Sequence, residues 1–117
     1  MSVIRYAQVL LNLAEDLAQK NGLDSRALDL LNAVRKRSDS STTLISSTKE
    51  ELVNLIWQER NIEFLGEGVQ NIDLVRTLRP IPAKIPTGGT PIPSVNLGES
   101  NYIWPLPNSE TLYNKDL

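Results

Sequence analysis

Up to Arg79 the apolar positions of the chain keep helical spacing, and beyond it prolines take over. From Ser2 to Lys20, Tyr6, Leu10, Leu13, Ala14 and Leu17 share one face of a helix, which Asn21 and Gly22 end. A second helix starts with Asp24 or Ser25 as its cap and carries Ala27, Leu28, Leu31 and Val34 on its apolar side. Arg35, Lys36 and Arg37 close it, where the helix dipole favours cations. The spacing therefore predicts a helical hairpin over residues 1–38, with the small residues Ala14, Ala18 and Ala27 where the helices cross. Ser38 to Thr48 is nearly all serine and threonine around Leu44 and Ile45, which predicts an irregular, mobile loop. Ser47 with Glu50, or Thr48 with Glu51, has capping-box spacing and starts a third helix.

The segment 48–79 reads as two helices broken at Gly66 and Gly68. On the first, Leu52, Leu55, Ile56 and Ile62 are expected on one face, and Glu59, Arg60 and Glu63 point into the same face. A charge taken out of water costs several kcal/mol unless it is paired and hydrogen-bonded, so these three residues need partners. Arg60 and Glu63 are spaced to pair along one helix, whereas Glu59 and Glu63 repel. The next helix offers Arg76 and Arg79 as cations and Asp73 as a partner for Arg60. A structural ion-pair network of Glu59, Arg60, Glu63, Asp73 and Arg76 is the expectation.

All seven prolines lie between Pro80 and Pro107, so residues 80–117 are expected to form an irregular tail that wraps the helices, with its tightest turn at Gly88 and Gly89. The whole reads as a single all-α domain of 117 residues with a long Pro/Gly-rich C-terminal tail.

Composition narrows the chemistry. Twelve basic and fourteen acidic residues give a net charge of -2, which provides no electrostatic footprint for nucleic acid or anionic lipid. With no cysteine and no histidine, the chain has no thiolate or imidazole metal ligand and no Ser-His-Asp triad, and neither a metal nor a cofactor is expected. Glu59 and Glu63 have the residue type of a glycosidase pair, but carboxylates one turn apart among apolar residues are the pattern of structural ion pairs, so the chain is not read as an enzyme. Gly66 to Gly68 lacks the preceding strand and spacing of a nucleotide fingerprint and is a helix stop. In the tail, Tyr102 and Tyr113 are candidates for stacking on sugar rings, whereas Trp104, between Ile103 and Pro105, is expected to close the core, as Trp57 packs against the hairpin.

Glu59, Arg60, Glu63, Phe64, Gly66, Glu67, Gly68, Asp73, Leu74 and Arg76 together resemble the signature of the RagB/SusD family of outer-membrane glycan-binding lipoproteins. The stretches Arg5 to Ser38 and Tyr102 to Leu117 fit the same family in order and spacing, so the resemblance is to its C-terminal portion. The pattern departs from the family just after Gly68, where Val69, Gln70 and Asn71 stand in place of an aromatic or basic residue. The resemblance implies a protein that binds glycans or other nutrients at the cell surface and delivers them to a SusC-type TonB-dependent transporter, without catalysis. It also implies a lipid anchor upstream of Met1, read as the start of a fragment, and a tail around Tyr102 that packs back on the core. The signature residues carry over as scaffold, not as the ligand site. The helical hairpin also resembles a tetratricopeptide unit, and the alternative function is a protein-interaction module without a small-molecule ligand.

Overall fold

In the computed structural model the described residues are 5–103, 107 and 112. They contain four helices: α1 (Tyr6–Asn21), α2 (Ser25–Ser38), α3 (Lys49–Glu63) and α4 (Val69–Arg76). The chain folds as two compact units, Met1–Gln70 and Asn71–Leu117. The all-α class with an irregular tail is what the apolar spacing predicts.

In the first unit α1 and α2 form the hairpin, and α3 packs chiefly on α1 and less on α2. Gly22 ends α1 at φ 82°, in the left-handed region that a glycine enters without steric cost, and its N–H returns to the Ala18 carbonyl at 3.0 Å. Asp24 caps α2 by accepting the Ala27 N–H at 3.0 Å. The core is Ala7, Leu11, Ala14 and Ala18 from α1, Ala27, Leu31 and Val34 from α2, Leu52 and Ile56 from α3, and Phe64. The buried face of α1 thus differs from the expected one. Tyr6 is 77% exposed, and Leu10, Leu13 and Leu17 are only half-buried. Two neighbouring helices press on α1, and the closest approach falls on its alanines, which pushes the larger leucines to the flank.

On α3 the buried positions are Leu52, Ile56, Glu59 and Arg60, and Ile62 is 57% exposed instead of sharing their face. Helix geometry accounts for the correction: at about 100° per residue, Ile62 lies well away from the line through Leu52, Ile56 and Glu59. Thr48 is the cap, accepting the Glu51 N–H at 3.1 Å. The Glu51 carboxylate accepts in return from the Ser47 N–H at 2.8 Å and its hydroxyl at 2.7 Å, a capping box reaching one residue further back than usual.

The Ser/Thr loop before α3 is irregular, as predicted, but it is tied down. Asp39 accepts from the Ser41 N–H and from the hydroxyls of Ser41 and Thr42. Asn32, buried on α2, donates to the Leu44 carbonyl at 2.9 Å and accepts the Leu44 N–H at 2.7 Å. One side-chain amide takes the place of a peptide group and holds the loop against the hairpin.

In the second unit α4 ends in a Schellman arrangement. Arg79 donates its N–H to the Leu74 carbonyl at 2.9 Å, and Leu78 adopts φ 54°, a position that glycine usually fills. Beyond it, two isolated antiparallel bridges, Ile81 with Val95 and Lys84 with Ile92, draw the proline-rich segment into a narrow loop. Pro82, Pro86, Pro91 and Pro93 have no N–H to donate, which keeps the bridges from growing into strands. The loop turns at Gly88, φ 76°, with the Gly89 N–H on the Pro86 carbonyl at 3.1 Å. The chain then turns again through Asn96 to Glu99 and reaches Tyr102.

Candidate functional site

The charged residues of α3 are buried, and the first unit supplies them with cations from distant parts of the sequence. Glu59 is 3% exposed and meets the Arg35 guanidinium of α2 at 3.2 Å. Burial pushes its carboxyl above the usual range. Arg35 opposes that shift by charge and hydrogen bond, and the neighbouring Glu63 adds to it. The Glu63 carboxylate, nearly buried, is bridged by Arg5 and Arg37 together. Arg5 extends further, to the Glu67 carboxylate and to the Glu63 carbonyl at 3.3 Å. Arg60 is 4% exposed, donates to the Asn12 side-chain oxygen and lies over the Phe64 ring at 5.4 Å, with Arg5 over the same ring at 5.8 Å.

Local spacing points to Arg76 and Arg79 as the cations for Glu59 and Glu63; the cations that meet them are Arg35, Arg5 and Arg37. Sequence reasoning placed Arg35 and Arg37 only as complements of the α2 dipole and gave Arg5 no role. Their ion pairs connect residues 24, 26 and 58 positions apart, a distance at which only the packing of helices reveals a pair. In the second unit, Asp73, 2% exposed, accepts from the Arg76 guanidinium at 2.8 Å. Such one-turn pairs are readable from sequence, since residues three apart adjoin on a helix surface.

The tail candidates separate. Tyr102 is 6% exposed, and its hydroxyl donates to the Arg79 carbonyl at 2.8 Å with the Leu74 carbonyl at 3.3 Å. It closes the carbonyl end of α4. Tyr113 and Trp104 lie outside the described residues. Trp57 is half-buried on α3.

Chemically, the cluster binds itself. Open cavities lined by described residues lie on the first unit. One, of about 500 Å³, is lined by Ile45, Ser46, Glu51, Leu55 and Gln58 among others, and one, of about 380 Å³, by Tyr6, Leu10, Leu30, Ala33 and Arg37 among others. Neither of these two is lined by Glu59 or Glu63. Among the described residues, no group of three or more Asp and Glu is placed to hold a metal ion. Among the same residues, no helix is long and apolar enough to cross a membrane.

The sequence matches the model of the SusD family over residues 1–117. It is 34% identical to SusD-like protein P38 of Formosa agariphila, over 89% of this chain and 21% of that protein. It is 33% identical to SusD-like protein P2 of the same organism, over 97% of this chain and 24% of that protein. The crystal structure of a SusD superfamily protein from Bacteroides fragilis superposes with a TM-score of 0.78 at 34% identity, covering 98% of this chain and 27% of that one. The chain therefore spans about a quarter of the length of the proteins it matches.

Proposed function

Because the chain belongs to the SusD family, whose model it matches from residue 1 to residue 117, we propose that it forms scaffold for the binding of glycans or other nutrients at the bacterial outer-membrane surface, for delivery to a SusC-type TonB-dependent transporter. The similarity over nearly all of this chain to a solved SusD superfamily structure carries the reading. SusD-family proteins are surface lipoproteins that bind rather than transform, and the same location is proposed here, with the lipid anchor in sequence upstream of these residues. The self-paired charges support a role without catalysis: Glu59 and Glu63 are committed to Arg35, Arg5 and Arg37, and a carboxylate held that way is a joint between helices. Of the two tail tyrosines, Tyr102 is engaged with α4, so the proposed sugar contact in this chain falls to Tyr113.

The test is isothermal titration of the 117-residue protein against a panel of soluble polysaccharides and oligosaccharides. Binding of at least one glycan is expected, weakened by Tyr113→Ala with the melting temperature unchanged. Silence across the panel removes glycan recognition from these residues, and an unchanged affinity in the variant removes Tyr113 from it.

A second reading, a protein-interaction module built on the hairpin, is favoured by the cavity of about 380 Å³ where Tyr6 and Leu10 of α1 stand near Leu30 and Ala33 of α2. Substituting Tyr6, which is 77% exposed, by Glu leaves the core intact and separates the two readings: it disrupts docking of a helix there and leaves glycan binding unaltered.

A further inference from the structure

The loop before α3 holds an open backbone edge. Asn32 engages both the N–H and the C=O of Leu44, which places these two groups on the same side of the chain, as in an extended strand. In an extended chain the adjacent residues then turn their N–H and C=O to the opposite side. Those residues are Thr43 and Ile45, both exposed, and among the described residues no hydrogen bond engages their backbone groups. The edge is fixed at both ends: Asp39 holds Ser41 and Thr42, and the Ser46 hydroxyl donates to the Thr48 carbonyl at 2.8 Å. Unpaired peptide groups on a segment already held extended form a template for another strand, because the ordering entropy of this side has been spent in folding.

A groove runs beside the edge. The cavity of about 500 Å³ is lined by Ile45, Ser46 and Ser47 from the loop and by Glu51, Leu55 and Gln58 from α3. Ile45 is 82% exposed, and with Leu55 it gives the groove an apolar floor for alternate side chains of an extended chain. Glu51 is the one charged residue lining it, and its carboxylate is kept ionised by the Ser47 N–H and hydroxyl, which hold it below the usual range. A sugar site of this size would be expected to offer an aromatic face, and this groove has none.

We propose that the Thr43 to Ile45 edge is a docking site for an extended polypeptide segment of a partner protein, which adds as a strand, seats apolar side chains on Ile45 and Leu55 and places a basic residue against Glu51. This site is independent of the glycan reading: it uses none of the residues assigned there and holds or fails without it.

The probe is a blocked five-residue peptide of alternating valine and threonine with one lysine, acetylated and amidated at its ends. Titration followed by amide NMR is expected to shift the Thr43 and Ile45 N–H signals. A strand binds through one of its edges only. Two further peptides, N-methylated on alternate residues of one edge or of the other, should therefore differ, one binding like the parent and the other at least about tenfold more weakly, as befits lost backbone hydrogen bonds. Ile45→Pro, which removes one edge donor, should abolish binding with the melting temperature retained. Absence of binding at millimolar peptide overturns the proposal, as does equal binding of the two methylated forms. Since the methylated pair tests the same question on the unaltered protein, a folding defect in the proline variant leaves the test intact.

Discussion

The buried guanidinium of Arg60 shows how a single side chain satisfies three requirements at once. Its charge is out of water at 4% exposure, its donors reach Asn12, and its plane lies over Phe64. A lysine has neither the fork nor the flat face, so the two residues are not interchangeable at this position. Arg60→Ala removes the contacts with Asn12 and Phe64 and leaves buried polar groups without a partner; a loss of about 3 kcal/mol in urea unfolding is expected, with Arg60→Lys recovering less than half of it. A loss below about 1 kcal/mol for the alanine variant would mean that the guanidinium behaves as a surface charge. That Glu59, Arg60 and Glu63 sit on an inward face was legible, because their spacing from Leu52 and Ile56 decides it. Which cations neutralise them was not, since Arg5, Arg35 and Arg37 reach them only once three helices have packed.

Among the elements, the loop between α2 and α3 is where local reasoning and structure part company. A run of serines and threonines has no propensity for regular structure, and composition alone predicts mobility. The anchor comes from outside the run, from Asn32 in the middle of α2, a residue that helical spacing marks as an ordinary polar position. Asn32→Ala deletes two hydrogen bonds to Leu44 and is expected to cost about 2 kcal/mol, with faster hydrogen exchange at the Leu44 amide and little change within α1. Unchanged exchange at Leu44 would show the loop to be held by Asp39 and the Thr48 cap alone. The helix boundaries, in contrast, were written in the sequence: Asp24, Thr48 and Gly22 act through bonds to residues three or four positions away, which is why cap chemistry survives any tertiary context. The end of α4 is the exception, where Leu78 occupies a left-handed position that its side chain disfavours, and Arg79 and Tyr102 together close the carbonyl end.

At the scale of the molecule, the carboxylates predict how stability follows pH, and they act with opposite signs. Hydrogen bonds hold Asp24, Asp39, Glu51 and Glu99 below their usual ranges, with Asp39 at about 2. Each therefore stabilises the fold above the unfolded-chain value, and that contribution is lost as pH falls through the folded one. Stability should decline progressively from pH 5 towards pH 2. Glu59 runs the other way: burial raises it above its usual 4.5, so its contribution is complete below that value and is lost as pH rises through the raised one. Glu59→Gln removes this term, and in denaturant melts at pH 4, 5.5 and 7 the variant should gain on the parent as pH rises; a gap that narrows instead would mean that Arg35 outweighs burial. The sequence by itself determined the helical class, the hairpin, the caps, the proline-rich tail and the inward charges of α3, together with the family signature from Glu59 to Arg76. All of these are set by spacings of a few residues, where backbone geometry links position to direction. Tertiary structure alone decided that Tyr6 is exposed and that Leu10, Leu13 and Leu17 flank the core of α1 instead of filling it, that Arg5, Arg35 and Arg37 neutralise the buried carboxylates, and that Tyr102 caps α4. Each of these joins residues far apart in sequence, and the free energy that selects them comes from close packing and desolvation, which have no local signature.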